Sequence, residues 1–283
     1  MTPRRASRTA SPILALLLIG VGGCGPTPEP SLDPPATIAP GTATPSPTVA
    51  PSLAGGVYLA LGDSITFGIG VPQPQRNGFV ARVADALDPP VETRIFAVPG
   101  ETAAGFLERR LDDVVTAIEE LGPRVELVTV SLGANELLRA RRAPACDADP
   151  SGAACRAVVD AAIAEATEAL DAVLAAVQAT MAAEGSDARV LVLAYYNPDT
   201  DPVAASKVAG ADGAVACTPA DPQPGLNDRI ACVAADRGAE LVDLYAAFLG
   251  REEELTRFAR GDVHPNGDGY EVIAARILDA LSQ

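Results

Sequence analysis

"VYLALGDSITFG", residues 57–68, changes character at its midpoint. Its first six residues are apolar or small without alternation, as in a strand buried on both faces of a parallel sheet. Asp63 and Ser64 follow at once, so the strand ends in a short polar turn. The same unit recurs along the chain. "VETRIFAV" (91–98), "VELVTVSL" (125–132), "RVLVLAYY" (189–196) and "AELVDLY" (239–245) read as further strands. Between them, amphipathic stretches predict helices at 77–87, 102–121, a span of about 30 residues after Cys155, 224–238 and 266–281. Strands alternating with helices imply a five-stranded, mainly parallel sheet with right-handed crossovers, a three-layer α/β/α sandwich. In such a fold, ligands sit outside the carboxyl ends of the strands.

Four polar turns stand at that edge. "GDSITFG" brings Ser64, "AVPGETA" Gly100, "SLGANELL" Asn135 and "GDVHPNG" His264, the only histidine in the chain. These types suit acyl transfer. A serine hydroxyl needs a base to take its proton. A histidine does that work, because its ordinary pKa of about 6.5 leaves it largely neutral at neutral pH. The oxyanion formed by attack needs N–H donors, each worth on the order of 100- to 1000-fold in rate. The N–H of Ser64, the N–H of Gly100 and the carboxamide of Asn135 are the candidate donors.

In that order and spacing, "LGDSIT", "VPGET", "LGANE" and "DVHPN" resemble the blocks of the GDSL/SGNH hydrolase superfamily, over roughly residues 56–283. The resemblance implies a flavodoxin-like α/β/α fold and hydrolysis of carboxylic esters, esterase- or lipase-like or carbohydrate deacetylase-like, through a serine acyl-enzyme. Ser64 is the implied nucleophile, His264 the base, and Gly100 and Asn135 belong to the oxyanion hole. Two departures stand out. The family usually places an aspartate three residues before the histidine; that position is Gly261 here, and the aspartate is Asp262. Either Asp262 orients His264, or a backbone carbonyl near residue 261 does and the site is a Ser–His dyad. Glu136 stands where an aspartate is frequent, and little effect is expected of it.

The ends of the chain speak of export. Arg4, Arg5 and Arg8 precede the apolar run "ILALLLIGV" (13–21), too short to span a bilayer comfortably. The following "VGGC" resembles the lipobox of bacterial lipoproteins, with Cys24 as the lipidated residue; an ordinary cleaved signal or an uncleaved anchor are the alternatives. The expected organisation is a signal peptide over 1–23, a lipidated cysteine with a Pro/Thr-rich disordered linker over 24–54, and a hydrolase domain over 55–283. The domain would then sit outside the cytoplasm, anchored to the outer face of the membrane through Cys24. Setting that residue aside leaves four cysteines in two local couples. Of three connectivities, Cys146–Cys155 with Cys217–Cys232 is expected.

A formal charge of −16 argues against nucleic acid or an anionic lipid surface as a partner. Zinc wants a CxxC pair or neighbouring histidines, and neither occurs. "DVHPNGDGYEVI" has Ile273 where a calcium loop needs a bidentate Glu. No metal or organic cofactor is expected, and the domain is expected to act as a monomer on a small-molecule, lipid or acylated-glycan ester. The reading from another class is a catalytically silent lipoprotein that binds an envelope glycan or lipid.

Overall fold

The computed structural model describes Leu53 and residues 56–198, 202–210, 215–218 and 223–283. The expected leader, Cys24 and all of the linker except Leu53 lie outside the described residues.

Strands β1 (Val57–Gly62), β2 (Glu92–Ala97), β3 (Val125–Ser131), β4 (Arg189–Ala194) and β5 (Glu240–Asp243) form one sheet in the order β2-β1-β3-β4-β5. Every neighbouring pair is parallel. β1, β3 and β4 lie inside the sheet and are almost wholly buried, which is why their sequences are continuous apolar runs. β2 is an edge strand and carries charge. Its Glu92 pairs with Arg124, and its Arg94 with Glu120.

The long helix Ala153–Ala183 packs against helices Ala103–Arg109, Leu111–Leu121, Ala134–Ala140 and Leu226–Asp236. Helix Gly267–Leu281 packs against Phe79–Ala86 and Leu244–Phe248. These two groups flank the sheet, completing the expected sandwich. The connection from β1 runs one way to β2, while those from β3 run the other way to β4 and β5. The reversal between β1 and β3 opens a crevice at their carboxyl ends. In register, Gly62 aligns with Ala97 on one side and Ser131 on the other, so the turns after β1, β2 and β3 start level.

Some expected elements are shorter or broken. The helix read over 102–121 is two helices, Ala103–Arg109 and Leu111–Leu121, because Arg110 leaves helical geometry at φ −125°. Both halves pack on Ala153–Ala183. Hydrophobic periodicity reports which face is buried and is blind to re-aiming at one residue. β4 stops at Ala194, and Tyr195 and Tyr196 turn toward the site. Helices Ala134–Ala140, Pro144–Ala148 and Pro202–Ala209 lie in stretches read as turns and connections. So does a small antiparallel hairpin of β6 (Thr256–Arg257) and β7 (Asp262–Pro265).

Both expected disulfides are formed. Cys146–Cys155 ties helix Pro144–Ala148 to the first turn of Ala153–Ala183. Cys217–Cys232 ties residues 215–218 to helix Leu226–Asp236.

Candidate active site

Ser64 opens a one-turn helix, Ser64–Phe67, directly beyond β1. Asp63 caps that turn, its Oδ1 accepting from the Ile65 N–H at 2.9 Å. Gly62 is dictated by the crowding of the sheet edge: a Cβ there would lie 2.3 Å from Thr66 Oγ1 and 2.7 Å from the Ser131 carbonyl oxygen. The hydroxyl-bearing residue is therefore held against rigid backbone rather than on a free loop.

His264 comes from the other end of the chain on β7. The hairpin turn Phe258–Arg260 ends at Gly261, which adopts φ +74°, a left-handed conformation suited to glycine. The next residue, Asp262, folds its side chain back over two positions. Its Oδ1 accepts from the His264 backbone N–H at 3.1 Å and lies 2.5 Å from His264 Nδ1. The carboxylate of Asp262 thus reaches the imidazole although it stands one residue later than the family pattern, and the Nδ1 partner is not a backbone carbonyl. On the far side of the ring, His264 Nε2 lies 2.9 Å from Ser64 Oγ. An ionised carboxylate only accepts, so Nδ1 carries the proton and the Nε2 lone pair faces the serine hydroxyl. Burial alone would push the Asp262 carboxyl up; the ring and backbone bonds from His264 and the charge of Arg257 outweigh it and hold the group below the ordinary carboxylate range.

Two contacts brace this hairpin, and a third ties the last helix to the segment after Ser64. Tyr196 Oη donates to the Val263 carbonyl at 2.8 Å. Tyr270 Oη donates to the Ile69 carbonyl at 2.7 Å, and Arg257 Nη1 to the Gly70 carbonyl at 2.8 Å. The last two staple the segment after Ser64 to the elements around His264.

The other two expected residues arrive at the same place. Asn135 lies in the first turn of helix Ala134–Ala140 after β3. Its Nδ2 donates to the Glu101 carbonyl at 2.8 Å and lies 3.5 Å from Asp63 Oδ2, so the NH2 end faces the turns carrying Gly100 and Ser64. Gly100 has φ +78° and open space beside it. Among the described residues, neither the Ser64 N–H nor the Gly100 N–H is used in a hydrogen bond; the turn bonds run through Phe67 and Glu101 instead. Two backbone N–H donors are therefore free for an anionic oxygen, and the Asn135 NH2, which points at the Glu101 carbonyl and Asp63 Oδ2, serves as a third by turning from one of them.

Sequence reasoning passed over the layer beneath. Asp63 is buried at 1 % exposure, and its Oδ2 accepts from Tyr195 Oη at 3.0 Å. Burial pushes its carboxyl up to about 7, against the lowering effect of the Ile65 N–H and the Tyr195 hydroxyl. Tyr195 is fixed in turn by Asn227, whose carboxamide accepts from its N–H at 2.8 Å and donates to its carbonyl at 2.7 Å. Glu136, of which little was expected, is buried and accepts from the Ala103 N–H at 2.6 Å and the Ala104 N–H at 3.3 Å. It thereby ties the Asn135 helix to the start of Ala103–Arg109. Burial raises its pKa, with the backbone donors opposing. The signal in sequence was only a carboxylate beside each expected site residue, which is also ordinary turn chemistry.

An apolar pocket with about 60 Å3 of internal space is walled by Ile65, Ala134, Leu137, Tyr195, Tyr196 and Val263 among others, so that the sequence neighbours of Ser64 and His264 form part of its lining. Among the described residues, no group of three or more His, Cys, Asp or Glu side chains is placed to hold a metal ion.

A parallel-sheet sandwich with serine, imidazole and carboxylate in one line at its carboxyl edge, beside unused N–H donors, has the architecture of an ester hydrolase. The chain belongs to the GDSL-like lipase/acylhydrolase family, whose pattern matches residues 60–272. Among solved structures, it is similar to a lipase from a goat-rumen metagenome, with 24% identity over 79% of this chain and 96% of that one, at a TM-score of 0.60. It is also similar to an extracellular lipase of Streptomyces rimosus (21% identity, 80% and 99% covered, TM-score 0.58). An acetylxylan esterase of Geobacillus stearothermophilus shares the fold at 17% identity, with 82% and 96% covered and a TM-score of 0.55. No curated protein matches the chain.

Proposed function

We propose that the protein cleaves carboxylic esters through an acyl-enzyme on Ser64. The observation that carries this reading is the unbroken line Ser64 Oγ–His264 Nε2 and His264 Nδ1–Asp262 Oδ1, at 2.9 and 2.5 Å. His264 takes the Ser64 proton as Oγ attacks the ester carbonyl. Asp262 holds the imidazole in the required tautomer and stabilises the imidazolium that forms. The Ser64 and Gly100 N–H groups and Asn135 Nδ2 receive the oxyanion. His264 then returns the proton to the departing alcohol, and the same residues run the second half with water. The apolar pocket walled in part by Ile65 and Val263, next in sequence to Ser64 and His264, favours an aliphatic acyl ester as the substrate class.

The protein acts as a monomer, exported and held to the outer face of the membrane by lipid on Cys24. An acyl anchor rather than charge would provide the attachment, since the chain is strongly acidic.

The test is turnover of p-nitrophenyl acetate, butyrate and octanoate by the wild type, Ser64→Ala and His264→Ala. Wild-type turnover with both variants at background supports the reading. Turnover that survives both variants overturns it. If the wild type is inert on all three esters and a fluorophosphonate probe does not label Ser64, the silent binding module replaces it.

A further inference from the structure

Asp262 is loaded asymmetrically. Both donors from His264, the ring Nδ1 and the backbone N–H, converge on Oδ1. Neither fixes Oδ2, so the rotation of the carboxylate is left to whatever meets that second oxygen. What meets it is Arg257. In the β6–β7 hairpin, Arg257 is the cross-strand partner of Asp262, and its Nε lies 3.2 Å from Oδ2. The Nε atom is buried without an aligned acceptor, so this is a charge contact rather than a directed hydrogen bond. The other end of the guanidinium is directed: Nη1 donates to the Gly70 carbonyl at 2.8 Å. Gly70 itself is pressed against the histidine strand, where a Cβ would stand 2.2 Å from the Pro265 carbonyl oxygen and 3.2 Å from His264 Cβ. One planar cation therefore spans the segment following Ser64 and the acid behind His264.

We propose that Arg257 is the positioning residue of this site: it fixes the second oxygen of Asp262 and so the carboxylate that orients His264. The inference rests on the catalytic reading of Ser64, His264 and Asp262. It follows from the one-residue displacement of the aspartate in this chain. An acid that reaches its histidine by folding back over two residues binds through one oxygen and needs a support for the other. A lysine would keep the charge but not the fork that joins Gly70 to Asp262.

Charged and titratable groups stand on each element around the pair. Asp63 and Ser64 lie on the β1 side, Arg257 on β6 and Arg260 on the hairpin turn. Tyr196 follows β4, and Asp268 and Tyr270 lie on the last helix. Tyr196 and Tyr270 are held neutral, burial raising both hydroxyls far above their ordinary range. Of the two arginines in this set, Arg257 is the one that pairs with Asp262.

The experiment is ester hydrolysis by the full chain as wild type, Arg257→Met, Arg257→Lys, Asp262→Asn and the Arg257→Met/Asp262→Asn double variant, with Ser64→Ala as control. Arg257→Met should lower kcat about 10- to 100-fold while KM changes less than about threefold, because a misplaced acid is felt in the transition state. Arg257→Lys should recover only part of kcat. In the Asp262→Asn background, Arg257→Met should cost nothing further, since Arg257 acts through that carboxylate. A folded Arg257→Met with wild-type kcat overturns the proposal, and so do losses that multiply in the double variant. If Arg257→Met does not fold, the same cycle with Arg257→Lys decides, by whether its kcat loss disappears beside Asp262→Asn. Activity that survives Ser64→Ala overturns the catalytic reading and the role of Arg257 with it; activity that needs Ser64 but ignores Arg257 sinks only the latter.

Discussion

Asp63→Asn separates the burial of a carboxyl from everything else in the site. The native carboxyl is moved by burial from 3.8 to about 7. At about 1.36 kcal/mol per pH unit, that corresponds to about 4 kcal/mol. The sign follows from proton counts. A carboxyl raised in the folded state binds its proton more tightly there than when unfolded. Its contribution to stability is therefore full below pH 3.8 and is lost as the pH rises through about 7. An asparagine has no such dependence and still offers Oδ1 to the Ile65 N–H as a cap. It replaces Oδ2 by a donor facing Tyr195 Oη, now 3.0 Å away as a hydrogen-bond donor to that oxygen. The hydroxyl must reverse its role, at a cost of about 1 kcal/mol. The variant should thus be less stable than the wild type by about 1 kcal/mol near pH 4 and more stable by about 3 kcal/mol at pH 8. The difference should climb by up to about 1.4 kcal/mol per pH unit between those limits. Urea unfolding of both proteins at half-unit steps from pH 4.5 to 8.5, with the disulfides kept oxidised, measures it. Subtracting one curve from the other cancels the remaining titrating groups. A difference that stays flat within about 0.5 kcal/mol across the range would refute the reasoning, because the linkage admits no flat curve for a carboxyl so displaced.

Asn135→Ala removes one of three oxyanion donors and should lower kcat about 100- to 1000-fold with the melting temperature little changed, checked by steady-state kinetics beside thermal unfolding. Gly62→Ala should destabilise the fold by about 1–3 kcal/mol in denaturant unfolding, since its methyl would enter the space of Thr66 Oγ1 and the Ser131 carbonyl. Replacing Cys217 and Cys232 together by serine opens a 15-residue separation, and stability should fall by about 3 kcal/mol in the same assay.

Valine- and leucine-rich runs made β1, β3 and β4 readable, because a strand buried on both faces has no polar alternation to confuse it. Asn266 caps the last helix, its Oδ1 accepting from the Gly269 N–H at 3.0 Å. The break at Arg110 was not readable, nor was the β6–β7 hairpin. The first changes direction without changing which residues are apolar. The second is a pairing of two and four residues that no periodicity can register.

Ser64, Gly100, Asn135 and His264 could be named from sequence because each stands just past a strand or in the turn before a helix, where the α/β topology itself gathers ligand-facing residues. That Asp262 reaches His264 is a local matter of two residues, and the sequence left it open only because the choice between a side chain and a carbonyl depends on the turn at Gly261. Asp63, Tyr195, Asn227 and Arg257 belong to tertiary structure alone. Tyr195 meets Asp63 across a separation of 132 residues, and Arg257 meets Gly70 across 187. A polar side chain declares its role by what desolvates it and what it faces. Both are set by distant segments that the chain order does not place side by side.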